Sequence, residues 1–532
     1  MDGNETNKLV KGALLLTLAG LISKILSAGY RIPLQNMTGD LGFYIYQQVY
    51  PILGITMVLA LYGFPSAISK MTVELKADGK GLSFQQFYVP IFSILILVNG
   101  GVFLFLYLNA GSLAAWVGDA SLESTYQYAS FAFLLIPFSA LLRGVFQGNY
   151  MMKPTAYSQV SEQLIRVSII IAAAWIITMQ GKDIYIIGQV AVLASVLGAV
   201  TAVIILAVFF IKKKPTVMAK RNYLIPWTYY VRTLLIFGII ASLNHMVLLV
   251  IQFSDTFTLI PSLMEYGLMQ QDAMQAKGIF DRGQPLIQLG TVLGSSFALA
   301  LVPTLSRRKL ELDPNAIYLY IERALTFSFY LAVGATIGLI VIFPQVNVLL
   351  FQDDSGTVSL QVLVIAVLLS SIAITAASIL QGLGYIKRTA GFIVIACFIK
   401  WTANQMLVPI WGITGGAIAT VISLLILCVI VLVELKRKLP RLDYKRQIKW
   451  QALMIASGGM VIYLYIIQYA TTYVTISSRL ELLVYVMFAV ITGAFIYIFL
   501  LLRFKAYTEV ELSMLPFAGF FIRIHKGRNI HD

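Results

Sequence analysis

Charge is scarce in this chain. Asp, Glu, Lys and Arg make up 12% of its 532 residues, where soluble globular domains carry about a quarter. Acid is the scarcer sign, 24 residues against 39 basic ones. That shortage excludes an ordinary water-soluble domain. Cysteine is nearly absent, and Cys397 and Cys428 both fall within apolar runs, which excludes a disulfide framework. The three histidines, His245, His525 and His531, are scattered. No metal-spaced His/Cys cluster, HExxH, Walker-type Gly-x-x-x-x-Gly-Lys or dinucleotide glycine fingerprint occurs. The chain therefore offers no support for an enzyme, a cofactor, a metal centre or ATP-driven work. Uphill work would come from the membrane potential, a partner, or a coupling ion such as Na+ or H+.

Apolar residues fill the space that charge leaves. They are 59% of the chain at a mean hydropathy of +0.84, and they are gathered into runs of about 20, the length that crosses a bilayer. Cutting at polar and Gly/Pro-rich interruptions gives fourteen candidate spans near 10–34, 43–66, 88–108, 127–148, 156–178, 184–211, 231–254, 284–305, 324–350, 358–381, 390–409, 412–434, 450–470 and 482–502. The first run continues past Lys24 to Pro33 with no cleavage-like site, so it reads as a retained helix rather than a leader. A net charge of +15 could suggest nucleic acid. The basic residues, however, sit in short clusters between apolar runs, and they alternate from loop to loop: thirty fall in the N-terminal segment, the even-numbered loops and the C-terminal tail, while the odd-numbered loops hold Lys182, Lys277, Arg282 and Arg479. By the positive-inside rule this places both termini in the cytoplasm of a multi-pass plasma-membrane protein. Clusters such as Lys212-Lys213-Lys214 and Lys436-Arg437-Lys438 read as topology anchors beside membrane lipids.

An internal repeat divides the spans. Gln147-Gly148 followed by Lys153, Thr155 and Ala156 recurs as Gln381-Gly382 followed by Lys387, Thr389 and Ala390, an offset of 234 that also carries Arg166 onto Lys400. The first six spans and the next six are thus equivalent halves in the same orientation, with a substrate site expected at their interface. The expected organisation is an N-lobe over 1–214, a C-lobe over 215–438, two further spans over 439–505 and an interfacial cytoplasmic tail over 506–532.

Five basic residues remain at membrane depth: Lys24, Arg31, Arg143, Arg166 and Lys400. Unpaired and dry, they would cost on the order of 12 to 18 kcal/mol. Glu162, one turn before Arg166, is the one clear acidic partner inside the spans. Lys24 and Arg31 lie two turns apart on one face of the first span, and Arg166 and Lys400 are expected to face each other across the repeat axis. Snorkelling to an interface is the alternative, strongest for Arg143 and then Arg31. Otherwise the surplus describes a positive, water-filled cavity whose ligand is an anion, and a diphosphate would satisfy several cations at once. Pro33, Pro51, Pro65, Pro137 and Pro303 interrupt backbone hydrogen bonding within or at the ends of spans, as hinges do.

Several segments resemble a known family. Gly42-Phe43-Tyr44 through Gln47-Gln48-Val49-Tyr50-Pro51, then Gly63-Phe64-Pro65-Ser66-Ala67-Ile68-Ser69-Lys70 with Glu74, look like the opening of the polysaccharide-transporter branch of the multidrug/oligosaccharidyl-lipid/polysaccharide (MOP) exporters. Arg143-Gly144-Val145-Phe146-Gln147-Gly148, Pro154-Thr155-Ala156, Ser158-Gln159-Val160, Glu162-Gln163 and Arg166-Val167 are similar to the stage V sporulation protein B group and its lipid II flippase relatives in Gram-positive bacteria.

The resemblance implies an all-α integral membrane fold of 14 transmembrane helices, two parallel six-helix lobes forming a V around a central cavity plus two C-terminal helices. It also implies export of an undecaprenyl-diphosphate-linked saccharide by alternating access, in a chain expected to be a monomer. The family's cavity residues correspond to Lys24 and Arg31 and to the Asp281-Arg282 pair before span eight, with Val302-Pro303-Thr304-Leu305-Ser306 fitting that span's end. An arginine that some lipid II flippases carry in span two has no counterpart, since residues 52–62 hold no basic side chain. The expected binding set is Lys24, Arg31, Arg143, Arg166, Arg282 and Lys400, with Glu162 orienting Arg166 and Asp281 as counter-ion or protonation switch. A cation-coupled multidrug exporter of the same superfamily, or a non-transporting scaffold of envelope synthesis, are the alternatives.

Overall fold

The computed structural model describes residues 3–213, 225–301, 314–473 and 477–507. Among these residues every regular element is helical, and eleven helical runs are long and apolar enough to cross a membrane. The chain is a multi-pass membrane protein. Residues 302–306, with Pro303, and the tail beyond 507 lie outside the described residues.

Two of the eleven runs exceed any single crossing, 63 residues over Leu15–Ala77 and 53 over Ile386–Lys438. Each is broken at one glycine. Gly39 has φ 67 and ψ −174, and Gly412 has φ 57 and ψ −140. Only glycine enters that region readily, because a Cβ would collide with the backbone. The loops expected around 35–42 and 410–411 are thus contracted to one-residue breaks. A milder interruption falls at Tyr30, between the helices Gly3–Gly29 and Arg31–Val58. Pro33 causes it: it has no N–H, and its ring crowds the Gly29 carbonyl four residues earlier.

The seventh expected span needs correcting. Helix Gly238–His245 stops at Met246, and the long apolar helix is Val247–Glu265. Cutting on hydropathy ended the span at 254 because Asp255 follows, yet Asp255 lies within the helix, its charge met by a partner described below. The connection after it contains a further helix, Gln270–Asp281.

The two segments matched at offset 234 adopt the same turn. Helices end at Gly148 and Gly382 and the next begin at Met152 and Ile386. Tyr150 and Gly384 both take positive φ, 57 and 89, and their N–H groups donate at 2.9 Å to the carbonyls of Gln147 and Gln381.

Backbone contacts group the chain into two compact units, Met1–Pro285 with Tyr385–Ser423, and Leu286–Gly384 with Leu424–Asp532. In the first, helix Met152–Met179 packs along Ile186–Lys213 and along Gly3–Gly29, and Ile136–Gly148 lies against Phe64–Ala77. In the second, Pro314–Phe351 packs along Thr357–Gly382, Trp450–Ala470 pairs with Arg479–Arg503, and both of the latter lie on Pro314–Phe351. Polar ties join the helices of the second unit. The Tyr497 hydroxyl donates to the Tyr330 carbonyl at 2.7 Å, and Ser478 with Glu481 forms a capping box. Arg479 donates to the carbonyls of Leu349 and Leu350 at 2.9 and 3.2 Å, covering the negative end of their helix.

Candidate functional site

The charged interior lies in the first unit. Arg143 projects from helix Ile136–Gly148 and is fully buried. Its Nη2 donates to Glu162 Oε2 at 2.8 Å, its Nε to Ser158 Oγ at 3.2 Å and its Nη1 to the Ala60 carbonyl at 3.3 Å. That carbonyl is available because Leu59–Gly63 is a π-helical turn, which disturbs the usual i to i−4 pairing. The other Glu162 oxygen, Oε1, accepts from Arg166 Nη2 at 2.9 Å. Arg166 Nη1 also reaches Gln163 Oε1 at 3.1 Å, while its Nε has no hydrogen-bond partner. One carboxylate therefore bridges two guanidiniums. Snorkelling does not describe Arg143, whose side chain is 1% exposed.

Arg31 follows directly on the break at Tyr30 and is fully buried with no carboxylate against it. Its guanidinium lies over the Tyr50 ring, 3.8 Å from the centroid, a cation–π contact. Tyr30 and Tyr46, bonded through their hydroxyls, flank it, and the Tyr30 hydroxyl is its nearest polar contact, though short of a well-aligned hydrogen bond to any of its three nitrogens. Lys24 differs. It is exposed, and so is His245, which lies within electrostatic reach of it. His245 stacks on Tyr62 at 4.3 Å between ring centroids, and Gln159 bonds the Tyr62 hydroxyl. Charge patterning had missed both His245 and Tyr62, since neither carries a motif.

The remaining expected cations are compensated. Arg282 holds Asp40 with two bonds, Nε to Oδ1 at 2.8 Å and Nη2 to Oδ2 at 2.6 Å, the fork-to-fork geometry of a strong pair. Gly278 makes room for it, since a Cβ there would stand 2.2 Å from the Asp40 carbonyl oxygen. Lys277, expected to be a solvated loop residue, is buried and donates to Asp281 Oδ2 at 2.6 Å. Burial pushes the Asp281 carboxyl up to about 6, with Lys277 opposing.

Lys400 is fully buried, and its ammonium pairs with Asp255 Oδ1 at 2.7 Å. It also donates to Asn404 Oδ1, the Gly416 carbonyl and Thr420 Oγ1 at 2.8, 2.9 and 2.8 Å. The expectation that Arg166 and Lys400 face each other is corrected, because each is turned to its own carboxylate. Glu162 is likewise one of two acidic partners for the five membrane-depth cations, the other being Asp255.

Among the described residues, then, seven interior cations of this unit (Lys24, Arg31, Arg143, Arg166, Lys277, Arg282, Lys400) stand against five carboxylates (Asp40, Asp119, Glu162, Asp255, Asp281), of which buried Asp119 accepts from the Tyr44 and Tyr185 hydroxyls at 3.2 and 3.0 Å. The surplus is two, and the cations without a carboxylate of their own are Lys24, Arg31 and one of the arginine pair that shares Glu162. Charged side chains inside a helical membrane bundle mark functional sites.

These features define a multi-pass membrane protein whose regular elements are all helices among the described residues. The profile of the polysaccharide biosynthesis protein family matches residues 9–309, and the chain belongs to that family. In Bacillus subtilis (strain 168) it is 35% identical over 524 residues to the uncharacterized membrane protein YabM, covering 97% of this chain and 96% of that one. It is 25% identical over 551 residues to the lipid II flippase MurJ, covering 98% and 99%, and 24% identical over 527 residues to stage V sporulation protein B, covering 96% and 98%. Among solved structures, the inward closed lipid II flippase MurJ superposes with a TM-score of 0.65 at 14% identity over 92% of this chain and 99% of that one. An inward-facing multidrug resistance MATE transporter gives 0.58 at 15% identity over 81% and 98%. At such identities the structures attest the fold alone.

Proposed function

We propose that this protein is a flippase, not an enzyme, that carries an undecaprenyl-diphosphate-linked saccharide from the inner to the outer leaflet by alternating access. The observation that carries this reading is the positive surplus on three sites of one unit: Lys24 is exposed, Arg31 has no carboxylate partner, and Arg166 shares the single carboxylate of Glu162 with Arg143. A diphosphate offers several acceptor oxygens to such donors. Lys24 makes first contact because it is exposed. Arg31 supplies charge from its tyrosine cage, and Arg166 presents Nε while Glu162 fixes its orientation. Arg143, Arg282 and Lys400, satisfied by carboxylates, hold the helices that carry the other three. The lipid tail stays in the bilayer. The breaks at Gly39 and Gly412 support counting fourteen crossings with both termini in the cytoplasm, and the matched turns at Gly148 and Gly382 support two six-helix repeats.

The likeness to a lipid II flippase and to a sporulation protein supports peptidoglycan precursors and related wall units as the substrates to test first. The multidrug reading draws on the shared fold, but it needs a carboxylate open to a cation. Glu162, Asp255 and Asp281 have basic partners, whereas buried Asp119 is held by the Tyr44 and Tyr185 hydroxyls and is the carboxylate on which that reading would rest.

The test is reconstitution in liposomes with a labelled undecaprenyl-diphosphate saccharide in one leaflet. The wild type moves it, Lys24→Arg retains most of the rate, and Lys24→Glu abolishes movement in a protein of unchanged stability. Equal rates for the wild type and Lys24→Glu would refute the assignment. In cells, depletion is expected to leave the lipid-linked intermediate on the inner leaflet.

A further inference from the structure

Lys400 raises a question that the flippase reading leaves open. A buried ammonium has three protons to donate, yet Lys400 Nζ has four oxygens between 2.7 and 2.9 Å. They come from the Asp255 carboxylate on helix Val247–Glu265, the Asn404 amide before the Gly412 break, and the Gly416 carbonyl and Thr420 hydroxyl after it. A carboxylate, an amide carbonyl, a backbone carbonyl and a hydroxyl are the hard oxygen donors that alkali and alkaline-earth cations select. Single negative charge and four ligands suit a monovalent ion, since Ca2+ takes six to eight oxygens, commonly with several carboxylates.

The cage is also built and held apart from Lys400. Asn404 Nδ2 donates to Asp255 Oδ1 at 2.8 Å and to Thr258 Oγ1 at 2.7 Å, and Thr420 Oγ1 donates to the Gly416 carbonyl at 3.0 Å. Asp255 Oδ2 is buried with no hydrogen-bond partner, so the cage has acceptor capacity that Lys400 does not use. The Phe280 ring, 5.6 Å from Nζ, closes the remaining side.

We infer that residues Asp255, Asn404, Gly416 and Thr420 form a monovalent-cation site in which the Lys400 ammonium serves as a permanent, covalently tethered cation. Because this cation cannot leave, the site exchanges no ion with solvent during transport, and no Na+ gradient acts through it. The inference rests on the cage geometry and stands independently of the substrate proposed above.

Lys400→Met is the decisive variant. Methionine matches the lysine stem as far as its last carbon and ends where the nitrogen begins, so it vacates the ammonium position alone. Thermal unfolding of purified full-length protein is followed in choline chloride and in sodium chloride at equal ionic strength. The wild type is expected to melt at the same temperature in both salts. Lys400→Met is expected to melt lower in choline and to recover with saturable dependence on sodium, and adding Asp255→Asn should remove that recovery. Lys400→Ala, which leaves a larger space, should respond to methylammonium as well as to sodium. A saturable sodium shift in the wild type overturns the inference, because the cage would then take a free ion. Two further results overturn it equally: a Lys400→Met protein indifferent to sodium, or one that fails to fold in sodium as well as in choline. Flippase activity is not read in this experiment, so its outcome is distinct from that of the liposome test.

Discussion

Glu162 is the one carboxylate on which two interior charges depend, because each of its oxygens pairs with a different arginine, at 2.8 and 2.9 Å. Removing one partner of a buried pair leaves an uncompensated charge and costs about 3–5 kcal/mol, whereas replacing the whole set by apolar groups is often neutral. Glu162→Gln is therefore expected to destabilise the protein by about that much, seen as a lower melting temperature in detergent. Arg143→Met in the same chain should recover most of the loss, and a Glu162→Gln protein as stable as the wild type would deny the bridge. Half of this arrangement was legible from spacing, since Glu162 and Arg166 are one helical turn apart. The other half was not, because Arg143 lies on a separate helix 19 residues away in sequence. Asp255 was missed for a related reason. Hydropathy reads an isolated acid as the end of a span, and only the fold brings Lys400 to it.

At the scale of elements, glycine and proline divide the labour of shaping these helices. Pro33 and Pro51 bend a helix by withdrawing a donor, and this was readable from residue type. Gly39 and Gly412 break it through φ/ψ values, and this was not, since most glycines in spans are merely small. Gly100 sits in helix Val89–Leu108 with open space where a Cβ would go, whereas Gly39 has open space and a forbidden backbone. The two separate conformation from crowding. Gly39→Ala is expected to cost about 1–3 kcal/mol, while Gly100→Ala gains up to about 1 kcal/mol from helix propensity. Melting temperatures of the two variants in one detergent compare them, and a neutral Gly39→Ala would mean that the break tolerates a side chain. The π turn at Leu59–Gly63 has no sequence mark at all, yet it supplies the Ala60 carbonyl to Arg143.

For the molecule as a whole, fold class was the most legible property, because a bilayer permits few solutions for apolar runs of this length. The sign of the interior was legible too, as a count of cations without partners. Which cations remain available was not, since Arg282, Lys277 and Lys400 meet their carboxylates through the breaks at Gly39 and Gly412 and the helix Gln270–Asp281, features that periodicity does not encode. Topology rests on the segregation of thirty basic residues from four, and it makes a prediction at this scale. Asp78 follows helix Phe64–Ala77 beside Lys76 and Lys80, and Lys182 follows helix Met152–Met179; Asp78 and Lys182 are both exposed. With Cys397 and Cys428 replaced by serine and alanine, Lys182→Cys in whole cells is expected to react with a membrane-impermeant maleimide. Asp78→Cys should react only after the membrane is opened. If the two positions label from the same side, the number of crossings between them is even. In that case the inward orientation of the basic loops, and with it the direction assigned to lipid movement, fails.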